Sequence, residues 1–155
     1  ASVCNLRPTS RGSVHIQSAD AADAPVIAPN YLSTPEDKKV AADSIRLARR
    51  IIGAPALQEY QPQEWLPGPE VQSEEALIEA AGKIGTTIFH PVGTCAMGTD
   101  PDAGAVVDAQ LRVHGLQGLR VVAASVMPVI TSGNTNSPPI MIAARAADLM
   151  RQSAA

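Results

Sequence analysis

SGNTNSPPIMIAARAADLM, residues 132–150, is the stretch on which the reading of this chain turns. Gly133 permits a tight turn. Asn134, Thr135, Asn136 and Ser137 carry side chains that cap helices, and Pro138 suits the first helical position, where an N–H would be unpaired anyway. The spacing predicts a last helix from about Pro138 to Arg151. Ile140, Met141, Ile142, Ala143, Ala144, Ala146, Ala147, Leu149 and Met150 leave that helix little polar face. A helix apolar nearly all round has to be covered, and the chain supplies few elements to cover it. A further sheet, helix or subunit is expected. The N–H groups at the helix start also make a ready seat for an anion or an electron-rich ligand; taken alone, an ordinary N-cap is the commoner meaning of such a stretch.

Upstream, LRVVA at residues 119–123 is a continuous apolar run and predicts a strand buried on both faces. Residues 99–118 hold two turn-forming clusters, DPDAG and HGLQG. Before them lies FHPVGTCAMG, residues 89–98, the densest set of reactive side chains in the chain. Pro91 restricts the backbone around His90, and Gly93 and Gly98 allow tight turns or close approach of a ligand. A histidine held this way serves as a general base, as a metal ligand or, most often for a lone histidine, as a structural residue bonded to backbone. The zinc reading is poor, because His90 and Cys95 do not make a four-ligand set and no CxxC occurs. No feature of the sequence marks Cys95 as an activated thiol, so the nucleophile reading is weak as well.

The first half of the chain reads as short elements punctuated by proline. SVHIQ, residues 13–17, alternates like a strand. APVIAPNYL, residues 24–32, is an extended lead into a helix capped by Thr34, with Pro35 at its first position and Asp37 where a capping-box acid would reach back. Ala41, Ile45, Ala48 and Ile52 then form one apolar face, and Gly53 with Pro55 ends the helix. Residues 56–72 are a Pro- and Gln-rich loop carrying Trp65, expected to be a packing anchor rather than a substrate platform. A second helix is expected from a Ser73 cap to Lys83, with Glu74 and Glu75 in its first turn; with Glu70 they form a solvated acidic cluster. His15 and His114 are expected to be structural.

Composition narrows the class. The chain has 155 residues, 45% hydrophobic and 17% charged, with a formal net charge of −3. It is long enough for one domain with a real core. It has no basic stripe, which argues against nucleic acid as the main partner, and no apolar run near the ~20 residues of a membrane span. Aromatic residues are only 3%, too few for a stacking platform. Cys4 and Cys95 do not make a disulfide framework, and a reduced, cytoplasmic setting is expected. The N-terminus has no signal-peptide core and reads as the interior of a longer chain.

Together FHPVGTCAMG and VVDAQLRVHGLQGLRVVAASVMPVITSGNTNSPPIMIAARAADLM, residues 106–150, closely resemble the C-terminal signature of the glucose-methanol-choline (GMC) oxidoreductases. LRPTSRGSVHIQSADAADAPVIAPNYLSTPED, residues 6–37, resembles the start of the same region in choline dehydrogenase-like members. The resemblance implies an α/β fold. Residues 1–98 would be the last part of a substrate-binding domain built on an antiparallel sheet. Residues 99–155 would be the return, by a last strand and helix, to a Rossmann-like FAD domain. It implies oxidation of a small-molecule alcohol to an aldehyde by hydride transfer to flavin N5. His90 matches the catalytic histidine, which takes or holds the alcohol proton. Asn136 matches the second catalytic position, where it would orient the substrate oxygen. Phe89, Ala124, Asn136, Ser137 and Pro138 are the candidate FAD contacts, with the last helix pointing its N-terminus at the flavin. No metal is implied.

Two departures stand out. No GxGxxG occurs, so the loop that holds the FAD pyrophosphate is not in this sequence; FAD belongs to the intact parent, with the N-terminal FAD domain as the missing partner. And Ala123 stands where the family usually has Asp. The alternative to an enzyme part is a non-catalytic folded or self-associating module, a homo-oligomer in the latter case, that holds no flavin.

Overall fold

The computed structural model describes residues 1–154. These form two compact units, Ala1–Ile88 and a second beginning at Phe89. Three α-helices and one two-stranded antiparallel sheet are the regular elements among the described residues.

In the first unit, β1 (Ser13–His15) pairs with β2 (Val26–Ala28), placing Val14 opposite Ile27. Gly12 enters this hairpin so tightly that a Cβ there would lie 2.2 Å from the Ala28 carbonyl oxygen, so only glycine fits. Helix α1 (Pro35–Ile52) starts as its sequence predicts, with the Thr34 hydroxyl accepting the Asp37 N–H at 3.3 Å. The other half of the predicted capping box is replaced. The Asp37 carboxylate accepts from the Thr9 N–H at 2.9 Å, the Ser10 N–H at 2.8 Å and the Asn5 amide at 3.0 Å. The Thr34 N–H turns instead to the Ser10 hydroxyl, at 3.4 Å. Aspartate is a methylene shorter than glutamate, and segment 5–10 brings it several donors at once.

The predicted apolar face holds: Ala41, Ile45, Ala48 and Ile52 are half-buried, and neighbouring Ala42 is fully buried. This helix packs on α2 (Glu74–Ile84), whose Leu77 is fully buried. Burial of such a leucine contributes about 1.5–3 kcal/mol. Ser73 caps α2, accepting from the Ala76 N–H at 3.2 Å, and Glu74 and Glu75 are exposed as expected. The stretch between the helices is less irregular than its composition suggests, since Pro55–Tyr60 winds into a 3-10 turn. Trp65 is not a packing anchor within these residues; it is 88% exposed. The surrounding prolines and glutamines offer it little apolar surface.

The second unit is built of loops around one helix. Its core is Val107, Leu111, Val126 and Ala146, with Met97, Val106, Val113, Val121, Val122 and Ile142 packed around it. Isolated bridges join Met97 to Val107, Val107 to Val113 and Arg112 to Arg120. The strand expected at residues 119–123 does not form: Arg120 makes a single bridge, and Val121 and Val122 are half-buried rather than enclosed. A strand needs neighbours along its length, and here the 3-10 turn Ala124–Val126 follows almost at once. Helix α3 runs Ser137–Ala154, so Pro138 is its second residue rather than its first. Ala146 is its buried contact with the core, while Ile140 and Met141 are 62% and 61% exposed. The apolar helix predicted to need cover is thus largely uncovered by these residues.

Candidate functional site

The stretch 89–98 is held to the turn before α3 by backbone. The Cys95 N–H donates to the Ser125 carbonyl at 3.0 Å, and the Met97 N–H to the Val126 carbonyl at 2.9 Å. Gly93 takes φ +90, a conformation in which a side chain is strained. These constraints fix the path of the chain leading out of His90. Just before it, Phe89 has φ 63. Bulky residues rarely occupy that left-handed region, and such backbone strain concentrates where a side chain has to be displayed. The Phe89 ring is accordingly 81% exposed.

His90 is half-buried, and its Nδ1 lies 2.9 Å from the Thr135 hydroxyl oxygen. Thr135 is buried, at 7% exposure. Two residues further on, α3 begins, and its first turn is closed by the Ile140 N–H on the Asn136 carbonyl at 3.4 Å. The loop histidine and the helix start thus meet across 45 residues of sequence. They open onto a shallow recess of about 560 Å³. Its polar lining is His90, Thr135 and Asn136; its apolar lining is Phe89, Val122, Pro139, Ile140 and Ala143. An apolar lining, a few convergent polar groups and the positive end of an 18-residue helix suit an aromatic ring with an electron-rich edge.

Of the residues singled out in the sequence, Phe89, His90 and Asn136 line this recess. Ala124 lies in the 3-10 turn, and Ser137 and Pro138 open α3; none of the three lines it. Asn134, on the other side of Thr135, is exposed and is also outside the lining. Sequence reasoning took Thr135 only as one of four capping residues, and it missed the apolar lining of Val122, Ile140 and Ala143. No local signal marks a threonine as the partner of a histidine so far away in sequence.

The remaining candidates are quiet. Cys4 and Cys95 are free, the first exposed and the second half-buried. His114 is structural as expected, with Nε2 3.0 Å from the Gly98 carbonyl. His15 is exposed on β1. No group of three metal-ligating side chains occurs among the described residues, and no helix among them is long and apolar enough to cross a membrane.

The C-terminal family model of the GMC oxidoreductases matches residues 8–143. Alcohol dehydrogenase [acceptor] of Pseudomonas putida is 46% identical over 148 residues, covering 96% of this chain and 26% of that protein. Oxygen-dependent choline dehydrogenase 1 of Chromohalobacter salexigens is 48% identical over 151 residues, covering 97% of this chain and 27% of its own length. Among solved structures, pyridoxine 4-oxidase from Mesorbium loti superposes with a TM-score of 0.82 at 37% identity, over 95% of this chain and 28% of that one. An FAD-dependent oxidoreductase from Chaetomium thermophilum superposes with a TM-score of 0.88 at 32% identity, over 96% of this chain and 26% of that one. A loop histidine set against a helix start is therefore found here within the C-terminal region of a flavoprotein-like fold. The chain belongs to the GMC oxidoreductase family, and it spans about a quarter of the length of the curated relatives it matches.

Proposed function

We propose that this chain is the C-terminal part of an FAD-dependent, choline dehydrogenase-like enzyme that oxidises a small alcohol to an aldehyde. The observation that carries the proposal is the meeting of His90 and Asn136 on one recess at the start of α3. In this reading residues 1–98 complete the substrate-binding domain and residues 99–155 return to the FAD domain. The two free cysteines suit a reducing, cytoplasmic setting.

Phe89, Ala124, Asn136, Ser137 and Pro138 are the residues assigned to holding FAD, the pyrophosphate being held by the N-terminal domain. When bound, FAD supplies the acceptor for the hydride of the carbinol carbon. The chain's own residues handle the proton and the geometry. His90 takes the hydroxyl proton of the alcohol, since the carbinol carbon of an alkoxide gives up hydride far more readily than that of a protonated alcohol. Asn136 donates a hydrogen bond to that oxygen and fixes its orientation. Ala123 is exposed and brings no carboxylate, so any support from that position in relatives is lost or passes to water.

The test is a flavin absorbance spectrum of the full-length protein together with turnover on a panel of primary alcohols and an artificial electron acceptor. Bound flavin, reduced by at least one alcohol with release of the aldehyde, supports the proposal. A full-length protein that binds no flavin overturns it. The exposure of Ile140 and Met141 favours a second reading for the chain by itself, a self-associating module without redox activity.

A further inference from the structure

The contact between Thr135 and His90 reaches beyond packing. A neutral imidazole carries one proton, and the nitrogen that holds it decides what the other can do. If the Thr135 hydroxyl donates to Nδ1, the ring proton is on Nε2, and Nε2 has no lone pair for an incoming proton. If Nδ1–H donates to the Thr135 oxygen, the Nε2 lone pair is available. The 2.9 Å separation fits either arrangement, so the chemistry of the site rests on which way this one bond runs.

We propose that Thr135 is a positioning residue that holds His90 as the Nδ1–H tautomer, with Nε2 as the proton acceptor; this rests on the alcohol-oxidation reading above. Three observations carry it. Thr135 is buried while His90 is half-buried, so the bond is sheltered on the threonine side. Both residues line the recess that Asn136 shares. And Thr135 lies two residues before Ser137, the first residue of α3, a rigid element that limits where its hydroxyl sits. The step is a plain acid–base transfer. The alcohol O–H bond breaks, an Nε2–H bond forms, and the imidazolium keeps its Nδ1–H on the Thr135 oxygen throughout, so the ring neither flips nor changes partner.

The experiment uses the full-length flavin-loaded enzyme with its ring nitrogens labelled with nitrogen-15, and compares wild type with Thr135→Val, Thr135→Ser and His90→Ala. Wild type should show the Nδ1–H tautomer of His90 in its ring nitrogen shifts. Thr135→Val should show a mixture of tautomers and lose about 10–100-fold in kcat, the range typical when the partner that orients a functional histidine is removed. KM should change little, since the loss falls on the transition state rather than on binding. Thr135→Ser should restore both the tautomer and most of the rate. An Nε2–H tautomer in wild type overturns the proposal even if the valine variant fails to fold. So does wild-type kcat in Thr135→Val when His90→Ala is impaired. Wild-type kcat in His90→Ala is a different failure, for it removes the proton-acceptor role of His90 and with it the premise.

Discussion

Arg49 grips Glu64 with two nitrogens, Nη2 at 2.8 Å from Oε1 and Nε at 3.0 Å from Oε2. The same guanidinium donates to the carbonyls of Gly68 and Val71, each at 2.9 Å. One side chain on α1 therefore fixes several points of a segment that has little apolar content of its own. Arg49 and Glu64 are only 21% and 23% exposed, so salt and water weaken this pair less than an ordinary surface ion pair. The hydrogen bonds from Arg49 hold the Glu64 carboxyl below its usual range.

Arg49→Lys keeps the charge but loses the planar fork. It should destabilise the full-length protein by about 1–3 kcal/mol, the cost of leaving sheltered carbonyls and a carboxylate under-satisfied. Urea denaturation measures this, and a cycle with Glu64→Gln isolates the pair from the carbonyl contacts. A loss under about 0.5 kcal/mol, within the scatter of ordinary surface substitutions, would show that segment 64–71 is held by something else.

Asp37 gives the first unit a dependence on pH. Burial pushes its carboxyl up, but hydrogen bonds from the Ser10 hydroxyl, the Thr9 and Ser10 N–H groups and the Thr9 hydroxyl outweigh that and hold it below its ordinary value of 3.8. A carboxylate depressed in the folded state contributes stability that is fully present above its unfolded pKa and is lost as pH falls through the folded one. Asp37 should therefore cost nothing at neutral pH and weaken the fold only below about pH 4. Asp37→Asn should flatten that acid limb in thermal melts taken between pH 6 and 3, while lowering stability at pH 6. An acid limb of unchanged slope would assign the effect to other carboxylates.

The helices were legible in the sequence because their signals are local. Thr34 and Ser73 as caps, Pro35 inside the first turn and the spacing of Ala41, Ile45, Ala48 and Ile52 each act within a few residues. What stayed hidden depends on partners far along the chain. Asp37 was read against Thr34, three residues away, yet its strongest donors come from Thr9 and Ser10. The Val121–Val122 pair has strand-like composition but too few neighbours here to pair with. At the site, His90 and Asn136 were legible through ordered motifs, whereas Thr135 was not, because a hydroxyl bonded across 45 residues leaves no pattern in sequence.

The uncovered face of α3 predicts how the 155-residue chain behaves by itself. Ile140 and Met141 are each more than half exposed on an 18-residue helix. The chain alone should self-associate, and it should purify without colour, since no GxGxxG loop is present to hold a pyrophosphate. Met141→Glu should weaken association at least about tenfold, because burying one such side chain is worth about 1.5–3 kcal/mol. Sedimentation at high micromolar concentration reads both. A monodisperse monomer would mean that α3 tolerates its exposure, and a stoichiometric flavin spectrum surviving gel filtration would mean that the C-terminal contacts suffice for binding.

The two asparagines flanking Thr135 separate the roles at the site. His90→Ala in the full-length enzyme should lower turnover by about two to four orders of magnitude, the usual range for loss of a general acid–base group. Flavin content should change little, since the imidazole is not assigned to holding the cofactor. Asn136→Ala should lower turnover by less, because it removes one orienting hydrogen bond and leaves the proton acceptor in place. In the proposed mechanism both residues act on a single substrate oxygen, so the double variant should fall short of the product of the two losses. Asn134 lies one residue before Thr135, is exposed and is outside the recess lining, so Asn134→Ala should stay near wild type. Steady-state kinetics on one working alcohol, with flavin occupancy measured for each variant, decides among these. A larger loss for Asn134→Ala than for Asn136→Ala would shift the orienting role across Thr135 and leave that of His90 untouched. Near wild-type turnover for His90→Ala at full occupancy would leave the family membership standing and the proton without an acceptor in this chain.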